Sequence, residues 1–466
     1  MASLRSSTKD SAARLERREE EPRTLFVFLV WMVLLLALFR ELTLQSTLLF
    51  IGGFNLTVSD PIVFIGGVIL AMHAKRRPSL TLGTVLVAAY AAVIALNIAR
   101  GLSVRPYDAI VTLRLNGGFV VLLLLGLYVR ADEWWHPRIL RALLTVGGAL
   151  AALIVLRTAL GPTFPFGASA DIAVDEINDG GRALSAQGTI LVVMAAVVLL
   201  ARYMAPTSAG GGRPINFMIS VFLCLTVVAT RQGMATIICV VAWGTTFCAM
   251  PGPSRRARTT LGLAAGAAGL FAYYVLPEII PLEALNDSLP KAFAFDLSKR
   301  ETTLSFRQAI WAGLLDDRET WTTMSQILGL PAGVKPSIWI DYWGGTLWEL
   351  SVHSMYYGLL PVAGVVGLAL YCGVLASAAV ARLKDVIAGR GMPGATLAFT
   401  FIIMAALMGI SNDLRHENGL LIASALAGFA SQRRGAGARN ATMTSFEPRG
   451  RAERQPARNP PALGVR

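Results

Sequence analysis

The chain has 466 residues, 54% hydrophobic and only 15% charged, with a mean hydropathy of +0.57. A soluble domain carries roughly 25% charged residues, so this composition excludes a chain solvated mainly by water. A net charge of +13 raises nucleic acid as a partner, but the basic residues sit in loops and tails with Gly, Ala, Pro and Ser filling and few aromatics. That excludes a folded nucleic-acid module and suits anionic lipid headgroups.

Residues 1–23 form a basic tail with Arg5, Lys9, Arg14, Arg17 and Arg18. It reads as a disordered cytoplasmic end. Apolar runs of helix-spanning length then predict transmembrane segments at Thr24 to Phe39, Val58 to His73, Leu80 to Ala99, Ala109 to Val129 and Ile139 to Leu160. Further segments are predicted at Gln187 to Met204, Ile215 to Thr230, Gly233 to Met250 and Thr259 to Leu276, so that residues 24–276 hold nine helices. The last three, Met355 to Ala381, Pro393 to Ile410 and Gly419 to Ser431, lie within residues 355–431, and residues 432–466 form a second disordered basic tail. The expected fold is therefore all-α, a polytopic membrane protein of about 12 transmembrane helices.

With the N-terminus inside, about 28 of the 42 Lys and Arg residues fall on the cytoplasmic side, as the positive-inside rule requires. Both termini are thus expected in the cytoplasm. The four cysteines, Cys224, Cys239, Cys248 and Cys372, all lie in apolar runs and offer neither ligand spacing nor a disulfide framework. The run Gly210 to Gly212 lacks the Lys-Ser/Thr of a phosphate loop and reads as a turn.

Two outer connections are long: Gly161 to Ala186, and residues 277–354, the large extracytoplasmic loop before the tenth helix. Long loops carry function more often than short ones. The second holds Trp311, Trp321, Trp339, Trp343 and Trp348, five of the nine tryptophans, beside Tyr342, with Tyr356 and Tyr357 just past its end. Flat aromatic faces suit sugar rings, and equally an aromatic belt at a membrane interface.

The outward arginines run against the orientation rule: Arg114, Arg157, Arg182, Arg231, Arg307, Arg318 and Arg415. Several guanidinium forks converging at one membrane face match the oxygens of a lipid pyrophosphate; snorkelling to ordinary headgroups is the alternative. His353 closes the long loop in Glu349-Leu350-Ser351-Val352-His353-Ser354-Met355. It is placed to act as a base or phosphate ligand, or to sit at the interface as a plain polar residue.

Taken in order, these features resemble the O-antigen ligase and O-antigen polymerase superfamily, which includes exopolysaccharide polymerases and some protein O-oligosaccharyltransferases. The resemblance spans most of Asn55 to Ser431. Its parts are Asn55-Leu56-Thr57-Val58-Ser59-Asp60, then Thr230-Arg231-Gln232-Gly233, then Arg307-Gln308-Ala309-Ile310-Trp311, then Ile327-Leu328-Gly329-Leu330-Pro331-Ala332-Gly333, then His353-Ser354-Met355-Tyr356. Ser354 stands where Asn is common and Gln232 where a small residue is usual, which marks a divergent member.

The resemblance implies a GT-C-like architecture and a metal-independent glycosyltransferase of the bacterial inner membrane, without cofactors or metal ligands. The donor would be a polyprenyl-pyrophosphate-linked glycan, the acceptor a glycan or glycolipid, and the product a lipopolysaccharide O-antigen or an exopolysaccharide. It implies catalytic roles for His353, Arg231 and Arg307. Substrate contacts would come from Arg114, Arg182, Arg318, Arg415, Trp311, Trp343 and Tyr356. Arg318 followed by ten residues and Gly329 is reminiscent of a polymerase motif; the same spacing does not start at Arg182, so a polymerase is only slightly preferred to a ligase. A transporter or flippase of lipid-linked sugars would use the same arginines without chemistry, and an envelope scaffold would need none of them.

Overall fold

The computed structural model describes residues 24–42, 47–51, 54–57, 59–73, 80–129, 134–160, 185–205, 212–230, 232–250, 297–340, 346–348, 354–390, 393–411 and 416–427. Helix α1 spans Thr24–Leu42. A hairpin of β1 (Thr47–Ile51) and β2 (Phe54–Thr57) leads into α2 (Ser59–His73), α3 (Leu82–Val104), α4 (Pro106–Tyr128), α5 (Pro137–Leu160) and α6 (Ala186–Met204). Then come α7 (Pro214–Ala229), α8 (Gly233–Ala249), α9 (Leu297–Glu319), α10 (Thr323–Leu328) and a second hairpin, β3 (Ile338–Ile340) with β4 (Thr346–Trp348). The described chain closes with α11 (Met355–Ile387), α12 (Gly394–Ser411) and α13 (His416–Leu426).

The protein is predominantly helical, and the apolar segments of the sequence fall on helices wherever they are described. The predicted helix at Thr259 to Leu276 lies outside the described residues. One addition and one correction follow. The expected all-α class holds, with two short antiparallel hairpins added to it among the described residues. The correction concerns the twelve-span count: among the described residues five helices, α1, α3, α5, α6 and α11, are long and apolar enough to cross a membrane, or six if the bent α4 is one span. The apolar stretches of α2, α7, α8 and α12, Asp60–His73, Pro214–Ala229, Gly233–Ala249 and Gly394–Ile410, are shorter. At 1.5 Å per residue they rise about 21–26 Å, short of a hydrocarbon core of about 30 Å. A GT-C-like architecture is likewise not defined by these helices.

Lipid is nevertheless the solvent these helices fit. Phe64 is 74% exposed, Val240 66%, Met218 65% and Leu225 55%, each on the flank of an apolar helix. In water such surfaces would be an aggregation hazard, whereas in hydrocarbon they need no cover.

Inside the bundle, α4 packs against α2, α3 and α13, while α11 lies between α3 and α12. Beyond α12 the packing continues through α8 to α6, which also meets α5 and α7. Small residues set the approach: a Cβ on Gly126 of α4 would fall 2.8 Å from the Cα of Ala423 in α13, the close backbone contact that small residues permit between membrane helices. Tyr90, Phe119 and Tyr371, from α3, α4 and α11, meet at ring separations of 6.3–6.4 Å and are fully buried. Helix α11 is kinked, with Pro361 inside it and Gly364 at φ 65°; proline removes a ladder hydrogen bond and glycine supplies the left-handed backbone.

Candidate functional site

The end of the bundle where α3 finishes and α4 and α11 begin gathers the polar groups of interest. Helix α9 reaches it as an arm. Ile310 and Leu314 bury with Ile338 of β3, and Trp311 stacks on Tyr357 of α11 with centroids 4.8 Å apart and planes 8° from parallel. Such a pair contributes about 0.5–1.5 kcal/mol beyond its area burial. Past α9 the chain turns tightly: Trp321 Nε1 donates to Asp317 Oδ2 at 2.9 Å, and Gln326 Nε2 donates to the carbonyls of Arg318 (3.1 Å) and Trp321 (3.2 Å). Thr322 caps α10 by accepting from Ser325 N at 3.3 Å.

The segment after α10 then enters the bundle. Gly329 has φ 92° and Gly333 φ 86°. Leu330 N donates to Pro361 O at 2.8 Å, and Ala332 N donates to Asn97 O at 3.0 Å. Backbone lies against backbone here: a Cβ on Gly101 would sit 2.2 Å from Ala332 O, and one on Gly364 would sit 2.2 Å from Ile327 O. Asn97 Nδ2 donates to the carbonyl of Leu328 and, at 2.9 Å, to that of Val362. Arg100 Nη1 donates to Asn97 Oδ1 (2.7 Å) and Gly329 O (2.9 Å), and its Nη2 reaches Ser325 Oγ at 3.3 Å. Asn97 lies seven residues before the end of α3, about 10 Å down the axis at helical rise. Irregular backbone at such depth is tolerated when protein buries and satisfies it, as here.

The arginines singled out in the sequence separate into kinds. Arg114 grips Asp60 bidentately, Nε to Oδ1 at 2.6 Å and Nη2 to Oδ2 at 2.5 Å. Asp60 Oδ2 also accepts from Thr57 N at 2.6 Å and Thr57 Oγ1 at 3.1 Å. A carboxylate of the protein itself thus satisfies this cation. Arg157 Nη2 donates to Glu41 O at 2.6 Å, while the Glu41 carboxylate, 1% exposed, takes Ser185 N at 2.9 Å and the Ser185 hydroxyl at the start of α6. Arg318 differs: its buried Nε finds no hydrogen-bond partner among the described residues. Arg307 is half-buried on α9, one helical turn before Trp311. Tyr356 faces the bundle, its hydroxyl donating to Ala406 O at 2.8 Å and its ring against Tyr371 at 6.1 Å. Its neighbour Tyr357 makes the contact with Trp311. His353, Arg231, Arg182, Arg415 and Trp343 lie outside the described residues.

Sequence reasoning missed Asn97, Arg100 and Ser325. The available signal was an amide inside an apolar span, three residues before an arginine at its end, the spacing of one helix face. No protein-family model matches the chain, and none of the curated proteins searched matches it.

Proposed function

We propose that this protein is a membrane glycosyltransferase acting on polyprenyl-pyrophosphate-linked glycans at the outer face of a bacterial inner membrane, as a polysaccharide polymerase or O-antigen ligase. The observation that carries the reading is convergence. Arg307-x-x-x-Trp311, the Gly329 to Gly333 turn and the start of α11 just after His353 are separate stretches of sequence. Trp311 on Tyr357 and Leu330 on Pro361 bring all three to one end of α11. In this reading the acceptor hydroxyl attacks the anomeric carbon, inverting it, and the bonding pair leaves with the lipid pyrophosphate. Arg231 and Arg307 stabilise the charge that develops on that leaving group. His353 takes the hydroxyl proton or holds the phosphate. Both tails then lie in the cytoplasm and residues 277–354 lie outside.

The test is to give purified protein a lipid-linked repeat alone, in chelator, and resolve the products by size. A ladder of lengthened lipid-linked chains is expected of a polymerase. Products formed only with a distinct acceptor would move the assignment to ligation, and donor binding without any transfer would move it to transport.

A further inference from the structure

Asn97 and Arg100 hold a place that the proposed chemistry does not use, and what they satisfy defines it. The non-helical backbone at Gly364 interrupts the hydrogen-bond ladder of α11. Two carbonyls three and two residues before it accept from other elements, Pro361 O from Leu330 N and Val362 O from Asn97 Nδ2. The same amide nitrogen takes the carbonyl of Leu328 at the end of α10, so one side chain of α3 joins the arm to the kink across chain separations of 231 and 265 residues. Arg100 fixes which way that amide faces. By donating to Asn97 Oδ1 it leaves Nδ2 for the two carbonyls, and its fork also holds Gly329 O and Ser325 Oγ. Lysine has no second planar donor to span those acceptors.

We propose that Asn97 and Arg100 are positioning residues. They latch the turn from Leu328 to Gly333 into the bundle and so hold the α9–α10 arm, with Arg307, Trp311 and Arg318, against the end of α11. The latch stands on geometry alone; its effect on donor binding rests on the glycosyltransferase reading.

The experiment uses the full chain in lipid nanodiscs, with Arg100→Gln, Arg100→Lys and Asn97→Ala. Hydrogen exchange by mass spectrometry follows the peptide holding the amides of Leu330 and Ala332, and donor kinetics are read with a lipid-linked repeat. Exchange in that peptide is expected to rise on the order of tenfold in Arg100→Gln and less in Arg100→Lys, while α5 and α6 stay as protected as before. Donor KM is expected to rise as the reciprocal of the latched fraction that the exchange protection reports, with kcat nearly kept, because the donor binds only that fraction. Simple loss of folded protein would instead lower kcat at constant KM. If Asn97→Ala does not fold, the arginine pair still decides. Unchanged exchange in both arginine variants would overturn the latch, and a donor KM that does not follow the latched fraction so measured would overturn its positioning role. A wild-type protein that neither binds nor transfers the lipid-linked repeat would sink the glycosyltransferase reading and the kinetic half with it, leaving exchange to decide the latch.

Discussion

Arg114 and Arg318 are the same residue type, each on a helix and each matching a phosphate ligand by sequence, yet their surroundings differ. On α4, Arg114 spends its fork on Asp60 at the start of α2, which Thr57 also holds. On the α9 arm, Arg318 keeps a buried Nε with no acceptor among the described residues. The first region is an ion pair that ties two helices together. The second is a cation held beside a docked turn with part of its fork unclaimed, and the difference lies wholly in the partner.

The comparison can be broken most forcefully at Arg307, which shares the arm with Arg318. Arg307→Ala and Arg231→Ala are each expected to cut glycan transfer on the order of a hundredfold, the scale of losing one charge-stabilising donor. Membrane abundance should be kept, lysine should restore only part, and Arg255→Ala should change nothing; normal transfer by both alanine variants would remove the pyrophosphate clamp. Next in size is Arg114→Ala, expected to cost about 1–3 kcal/mol of stability by stranding a partly buried carboxylate. Thermal unfolding in detergent measures it, and Asp60→Ala with Arg114→Ala together should cost less than the sum of the single changes. Trp311→Ala should cost at least about 1 kcal/mol, the stacking contribution before any lost burial, and Trp311→Phe less, since Phe keeps a ring over Tyr357. The smallest effect on stability is expected at Arg318→Ala, within about 0.5 kcal/mol, while donor KM rises. An Arg318→Ala protein as unstable as Arg114→Ala would erase the distinction between the two regions.

Helix positions were legible because apolar runs report them directly. The segments predicted at Gly233 to Met250 and Ile139 to Leu160 lie on α8 (Gly233–Ala249) and α5 (Pro137–Leu160). Their lengths were legible as well; what was overlooked is that a stretch such as Gly233–Ala249, at about 1.5 Å per residue, falls a few ångström short of the hydrocarbon core. The first hairpin was legible in principle: Gly52-Gly53 between Thr47 to Ile51 and Phe54 to Thr57 is a turn signal between strand-like runs. Of the candidate site, the arm's Arg307-to-Trp311 spacing and the glycine turn could be read from residue types. Their destination could not, because pairing between Leu330 and Pro361, or between Asn97 and Val362, leaves no periodic trace in either segment. The fate of Arg114 was hidden similarly, since Asp60 lies 54 residues away in sequence.

The contacts of the α11 kink also impose an order on biogenesis. Asn97 leaves the ribosome first, the turn from Leu328 to Gly333 much later, and Pro361 to Gly364 just after it. The kinked segment is thus the last to arrive at a joint whose other two parts have already been made. A nascent chain whose turn was held back from the bundle would offer the insertion machinery a helix with bare carbonyls at Pro361 and Val362, which hydrocarbon does not tolerate. Excising the turn, or transplanting it to another scaffold, would create the same defect, so this loop cannot be traded as a detachable module.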